Sequence, residues 1–156
     1  VVYMGRGTHR VMTAWIPYGD TPIDLGGLMI LEGSYRQRER IRNYLNRDVD
    51  TYCTNHKDAD EIASGKKIWQ WSGALAENPV HLRNKFGGRW LTANFQAGDL
   101  LTFSILTIHA SMDNQTKRLR LSSDTRYQLA SDPIDERWIG ENPIGHSTAG
   151  KRGRIC

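Results

Sequence analysis

Short apolar or alternating segments recur along the chain, and turns rich in glycine, aspartate, asparagine and proline separate them. Segments of this length and pattern are typical of β-strands, and their spacing favours a sandwich or jelly roll. The sequence predicts strands at 10–15, 26–31, 89–95, 100–108 and 117–123. It also predicts a surface helix at 36–46 and a shorter helix at 80–85. The expected fold class is therefore an all-β core with inserted helices.

Composition bounds the class of protein. The 156 residues, 38% of them hydrophobic, are enough for one core. The longest nearly apolar stretch, 100–110, is too short to cross a bilayer, and no N-terminal segment has the pattern of a signal peptide. Cys53 and Cys156 are too few for a disulfide framework or a zinc motif. We therefore expect free thiols, no membrane partner and a cytoplasmic protein.

The net charge of +4 is concentrated in two places, the segment 36–42 and the tail 151–154. A basic cluster of this kind can bind nucleic acid. However, Glu39 interrupts the first cluster, and its basic residues do not alternate with the aromatic residues that base stacking requires. The interpretation is a solvated face, and no nucleic-acid partner is predicted.

One histidine and a set of arginines flank a turn in the second half of the chain. His109 ends an apolar segment, and Arg118 and Arg120 share a face of the segment after the turn. A neutral imidazole is a good ligand for iron(II), and an arginine fork binds a carboxylate through two hydrogen bonds. The residues alone favour the commoner alternative, a hydrogen-bonded structural histidine and solvated arginines.

Four motifs in order carry a resemblance to a known family: TAWIPYGD at 13–20, GGLMILEGS at 26–34, QAGDLLTF at 96–103 and HAS at 109–111. Together they resemble the phytanoyl-CoA dioxygenase family, over roughly residues 1–130. The resemblance implies a double-stranded β-helix, which is a jelly roll. It also implies an Fe(2+)- and 2-oxoglutarate-dependent dioxygenase that uses O2 to hydroxylate a small organic substrate and releases succinate and CO2.

The resemblance also implies a site. His109 matches the distant histidine ligand of the family's iron, and Arg120, eleven positions later, matches the arginine that binds 2-oxoglutarate. Ser111 and Thr13 are expected beside this cosubstrate, and Trp15, Tyr3 and Arg126 in the substrate pocket. The expected domains are 1–130, with a helical or loop insert at 35–88, and a partly flexible extension at 131–156. Trp69 and Trp71 are expected near the pocket mouth.

The family's other two iron ligands belong to an H-x-D motif, which in relatives falls immediately before a segment like residues 1–8. We therefore expect this His and Asp upstream of Val1, and a chain that is a fragment, incomplete at its N-terminus and inactive alone. Two alternatives stay open: a variant that has lost iron binding, and a surrogate ligand such as His9. The alternative function is a non-catalytic jelly-roll member of the family that binds a small anionic ligand. The sequence leaves the oligomeric state open.

Overall fold

The structure, a computed structural model, describes residues 3–47, 60–61, 64–67 and 73–143. The described residues belong to two compact units. One unit draws on Val1–His9, Arg40–Leu75 and Ser131–Cys156, and the other on Arg10–Glu39 and Ala76–Ala130. The domain boundary predicted at residue 130 stays a prediction. The predicted thiols Cys53 and Cys156, the aromatic pair Trp69 and Trp71, and the tail 151–154 lie outside the described residues.

The unit of residues 10–39 and 76–130 contains a first antiparallel sheet of three strands. Its central strand is β1 (Met12–Pro17), which pairs on one side with β4 (Leu101–Ser104) and on the other with β6 (Ser122–Tyr127). The burial of β1 alternates imperfectly, with Thr13, Trp15 and Pro17 all buried on one face. The predicted strand at 10–15 is thus confirmed, shifted by two residues.

A second antiparallel sheet of three strands lies in the same unit. Its central strand β2 (Leu28–Leu31) pairs with β3 (Trp90–Leu91) and with β5 (His109–Ser111). The buried residues Trp15 and Phe103 of the first sheet form one hydrophobic cluster with Leu28 of the second. The two sheets therefore pack face to face through these side chains. The β-rich fold is confirmed, and closure into a jelly roll stays a prediction.

Short helices connect these strands. Turns of 3-10 helix lie at Ile23–Leu25, Ser34–Arg36, Arg38–Ile41 and Glu136–Trp138, and α-helices at Arg42–Leu45 and Pro79–Phe86. The helix Pro79–Phe86 confirms the helix predicted at 80–85. Its N-terminus is capped by the Asn78 side chain, which accepts hydrogen bonds from two backbone N–H groups. None of the helices in the described ranges is long and apolar enough to cross a membrane.

The prediction of one continuous helix at 36–46 was wrong. The segment is broken into the 3-10 turns Ser34–Arg36 and Arg38–Ile41 and the single α-turn Arg42–Leu45. At the first break the Gln37 side chain donates a hydrogen bond of 2.8 Å to the carbonyl of Phe86, which holds Gln37 outside helical geometry. The segment has few apolar residues at helical spacing, so packing does not offset this break.

The prediction of one strand through 100–108 was also wrong. The strand β4 ends at Ser104, and a tight turn follows in which the Thr107 N–H donates to the Ser104 carbonyl at 2.9 Å. The chain then enters β5, which belongs to the other sheet. The apolar side chains continue through this crossing because both sheets bury them in the same core, so hydrophobicity alone does not mark the turn.

The strand predicted at 117–123 begins later, at Ser122, because residues 114–118 form a local hydrogen-bonded turn. The Asn114 amide donates to the Arg118 carbonyl at 2.7 Å and accepts from the N–H and hydroxyl of Thr116, both at 2.8 Å. Side-chain bonds of this kind compete with the strand ladder. Similarly, the strand predicted at 89–95 is limited to Trp90–Leu91, with a single further bridge between Phe95 and Thr21.

The other unit is held by its own polar contacts. A buried ion pair joins Asp135 and Arg137, with Nε and Oδ1 2.8 Å apart. The backbone N–H of Thr8 donates to the Pro133 carbonyl at 2.9 Å, and the Trp138 indole donates to the Tyr3 carbonyl at 2.8 Å. These contacts tie residues 3–8 to residues 133–138 within that unit.

The paired glycines before β2 allow a close approach of two backbone segments. Gly26 has φ +81°, and a Cβ at this position would lie 2.5 Å from the carbonyl oxygen of Met112. The next residue, Gly27, accepts a hydrogen bond of 2.9 Å from the Met112 N–H. A side chain at Gly26 would therefore push away the segment that follows β5.

We expect Gly26→Ala to lower the free energy of unfolding by about 2 kcal/mol or more, because it adds both an unfavourable φ and a backbone clash. The measurement is urea denaturation. The matched control is Gly19→Ala, because apart from its chain neighbours no atom of the described residues lies within 4 Å of the added Cβ there. Equal effects of the two substitutions would contradict the role given to Gly26.

Candidate functional site

Polar side chains occupy part of the space between the two sheets, beside the apolar cluster. Residues opposite one another in an antiparallel ladder share a face. Thr13 lies opposite Arg126 and Phe103, and Trp15 lies opposite Asp124, so these side chains share the inner face of the first sheet. Leu28 faces inward from the second sheet and lies opposite Ser111, and Ile30 lies opposite His109. The inner faces therefore bring together Thr13, Trp15, His109, Ser111, Asp124 and Arg126.

His109 is held with one ring nitrogen directed at the backbone and the other left open. Its Nδ1 lies 2.9 Å from the Thr107 carbonyl oxygen. A carbonyl can only accept, so Nδ1 carries the proton, and in the neutral ring Nε2 keeps its lone pair. The ring contacts Phe103, with centroids 4.7 Å apart. This is the tautomer that a metal ligand bound through Nε2 requires.

The pKa of His109 is lowered from 6.5. The largest cause is a partial loss of hydration, which disfavours the charged form, because the ring packs against Phe103 although His109 as a whole remains exposed to solvent. The hydrogen bond to Thr107 and the carboxylate of Asp124 act in the opposite direction, and the guanidinium of Arg126 again lowers the pKa. The neutral imidazole therefore prevails at neutral pH.

Backbone contacts at both ends fix the strand that carries His109. The Ile108 N–H donates to the buried hydroxyl of Ser34 at 3.0 Å, and the Ile108 carbonyl accepts from Leu31 at 2.8 Å. At the other end Met112 donates to Gly27. The motif at 26–34 thus has a direct role, because its glycine and its serine hold the two ends of β5.

Arg120 points inward from a segment whose leucines point outward. Leu119 is 96% exposed and Leu121 is 69% exposed, whereas Arg120 is half-buried between them. The guanidinium carbon lies 5.6 Å from the centroid of the Trp15 ring, a cation–π contact. Nη1 of Arg120 is buried and has no hydrogen-bond partner within the part of the chain that the structure describes. A buried, unsatisfied charged donor is costly, so this atom is suited to bind an anion.

The backbone around Arg120 is tied to the rest of its unit. The Gln115 N–H donates to the Asp24 carbonyl at 2.8 Å, and the Tyr18 N–H donates to the Leu121 carbonyl at 2.9 Å. Between these points, Asn114 closes the turn at 114–118. The distance between His109 and Arg120 is therefore set by an ordered loop.

Asp124 was missed by the sequence analysis. The Arg126 guanidinium donates hydrogen bonds to both carboxylate oxygens of Asp124, and it also donates to the Asp124 carbonyl at 3.0 Å. The spacing in the sequence could have indicated this pair, because charged residues at positions i and i+2 of a strand lie on the same face. The predicted pocket residue Arg126 thus reaches the inner face already paired.

Tyr3 lies in the other unit, with its ring against Gly73, so its pocket role stays a prediction. The roles predicted for Thr13, Ser111 and Trp15 also stay predictions, although the structure brings these three residues to the same inner space as His109. Thr13 and Trp15 are buried there, whereas Ser111 and His109 are exposed.

The described residues contain no group of three or more His, Cys, Asp or Glu side chains that could hold a metal ion. One H-x-D triplet does occur in the chain, His56-Lys57-Asp58. It follows the 13–20 and 26–34 motifs, whereas the family's motif precedes a segment like residues 1–8. The triplet lies outside the described residues.

We expect the His109 ring to titrate with a midpoint below 6.5, because its pKa is lowered in the folded chain. The unfolded chain then takes up this proton at a higher pH than the folded chain, so His109 makes the fold less stable as the pH falls through 6.5. The measurement is an NMR titration of the ring carbon resonances, assigned by their loss in His109→Gln. A midpoint at or above 6.5 would contradict the desolvation argument.

The chain matches the family model described as Phytanoyl-CoA dioxygenase (PhyH) over residues 2–122, which is more than half of its length. It shows no significant similarity to a curated protein or to a solved structure.

Proposed function

Because the chain belongs to the phytanoyl-CoA dioxygenase family, within the Fe(II)- and 2-oxoglutarate-dependent oxygenases, we propose that it hydroxylates a small organic substrate and releases succinate and CO2. The observation that carries this proposal is the inward Arg120, with its buried and unpartnered Nη1. The family supports the reaction class, and Arg120 supports a dicarboxylate cosubstrate.

The donor set around Arg120 fits 2-oxoglutarate. An arginine fork can bind the distal carboxylate of this molecule through two parallel hydrogen bonds. Such a bond would satisfy Nη1, which lacks a partner within the described ranges. Trp15 supports the guanidinium from one side, and Thr13 and Ser111 provide hydroxyl groups on the facing inner surfaces. We assign Arg120 as the residue that binds the cosubstrate, with Thr13 and Ser111 beside it.

The fit to iron(II) is partial. His109 offers an open Nε2 on a neutral ring, which is the form that binds a metal. A facial triad needs a second histidine and a carboxylate, and the described residues do not supply such a group. When bound, iron and 2-oxoglutarate together supply the oxidising chemistry. The part of the chain described by the structure contributes one ligand, the anion-binding arginine and an apolar wall.

A second candidate function is supported by that same partial donor set. A non-catalytic member of the family could use Arg120 to hold a small anion without iron. Arg120 serves both functions, whereas His109 is required only for the oxygenase. Formation of succinate therefore separates the two candidates.

We expect Arg120→Met to weaken binding of 2-oxoglutarate by roughly 10- to 100-fold, since a charge-assisted hydrogen bond contributes about 1.5–3 kcal/mol. The measurement is an NMR titration with 2-oxoglutarate, followed at the arginine Nε–H resonances in the parent protein and at the backbone amides of residues 119–121 in both variants. The matched control is Arg118→Met, which removes an exposed arginine two residues away. A shift at Arg126 in place of Arg120, or an equal loss in both variants, would refute the assignment.

We expect His109→Ala to reduce iron-dependent succinate formation to background in the protein with any residues encoded upstream of Val1 included. The physical reason is the loss of an imidazole ligand, and the described residues supply no group of ligands to replace it. His81→Ala, at an exposed position of the helix Pro79–Phe86, is the control. His56→Ala tests whether the H-x-D triplet takes part. Undiminished turnover by His109→Ala would eliminate His109 as a ligand, and no turnover by the parent protein would favour the non-catalytic alternative.

A further inference from the structure

The inner face of β6 carries a paired positive and negative charge beside His109. Asp124 lies opposite Trp15 and Arg126 lies opposite Thr13, so both side chains project into the space between the sheets. Their side chains are 46% and 32% exposed, although the opposite residues on β1 are buried. Both charges act electrostatically on the His109 ring. The pair is thus accessible to a ligand and close to the residue that we assign to the metal.

The pair is satisfied internally but retains hydrogen-bonding capacity. Three of the five N–H groups of Arg126 are used, two from Nη1 and one from Nη2, which lies 3.2 Å from Oδ2 of Asp124. The Nε–H and one N–H of Nη2 have no acceptor among the described residues. The two carboxylate oxygens of Asp124 each accept one bond from Arg126 and can accept another. A ligand can therefore bind without breaking the pair.

We propose that Asp124 and Arg126 together recognise the substrate, and that the substrate is a small zwitterion, of the α-amino-acid type, with an ammonium group beside Asp124 and a carboxylate beside Arg126. The identity of this ligand as the substrate rests on the proposed oxygenase function; the binding itself does not.

The charge of the pair selects this class of ligand. An isolated anion near Arg126 is also near Asp124, so attraction and repulsion largely cancel, and the same holds for an isolated cation. A zwitterion gains from both charges and brings no net charge into a space that loses hydration when it is filled. An exposed ion pair contributes at most about 1 kcal/mol to stability, so folding alone gives little reason for it. The competing explanation is that inward charges protect the edge strand β6 from pairing with another chain.

The experiment follows the Nε–H resonance of Arg126 by NMR during titration of the chain with three probes: glycine, N-acetylglycine and glycine methyl ester. Glycine carries both charges, N-acetylglycine only the negative one and the methyl ester only the positive one. We expect glycine to shift the resonance at millimolar concentration and to bind at least 10-fold more tightly than either blocked probe. Arg126→Gln and Asp124→Asn should each abolish the effect of glycine. Because Arg126→Gln lacks the Nε–H group, binding to this variant is followed at the backbone amides of β6.

Two control variants match the changes in charge. Arg118→Gln and Asp113→Asn alter exposed residues outside β6 and should leave glycine binding unchanged. Blocked probes that bind as tightly as glycine, or no response to glycine, would overturn the proposal, and the latter would support edge protection. Titration of the same sample with 2-oxoglutarate, followed at Arg120, keeps the two hypotheses distinct. A response at Arg120 without one at Arg126 contradicts the zwitterion site alone, and the reverse contradicts the cosubstrate assignment alone.

Discussion

The contact between Trp15 and its neighbours is the constraint on which the site depends. Trp15 is 2% exposed and forms one cluster with Phe103 of its own sheet and Leu28 of the other. Its ring also meets Phe95 edge-on, with centroids 4.9 Å apart. Burial of this ring holds the sheets together and removes water from the place where Arg120 projects. The same packing that stabilises the core therefore makes an unpaired guanidinium costly there, and the anionic ligand that we propose would relieve that cost.

The spacing of the site is set by backbone contacts outside the strands. The strand β5 is fixed by Ser34 at one end and Gly27 at the other. The loop that follows is held by Asp24 and by the side chain of Asn114, which makes its own turn. Since these contacts come from the segments around β2 and from the loop itself, the ten residues between His109 and Arg120 do not act as a free linker. The 26–34 motif of the sequence therefore supplies backbone and side-chain groups that hold β5 in place.

The sequence predicted the elements whose pattern is local, such as β1, β2 and the helix Pro79–Phe86. It could not predict the crossing between sheets at 105–108, because the side chains there are apolar on both sides of the turn. The inward direction of Arg120 could not be derived from alternation either. Hydrophobicity alone predicts that Leu119 and Leu121 are buried and that Arg120 is exposed. In the structure both leucines are exposed and Arg120 is half-buried. Only the family's spacing selected Arg120 over Arg118.

Two arginines of this site, six positions apart, are in different electrostatic states. Arg126 is neutralised by Asp124, whereas Arg120 faces an aromatic ring and makes no ion pair among the described residues. The first arrangement disfavours a ligand with net charge, and the second requires a negative one. This asymmetry suits the proposed reaction, with an anionic cosubstrate and a second molecule of no net charge, because two unpaired arginines would each compete for the dicarboxylate. Under the proposed function, the pairing with Asp124 would keep Arg126 from competing with Arg120 for the cosubstrate.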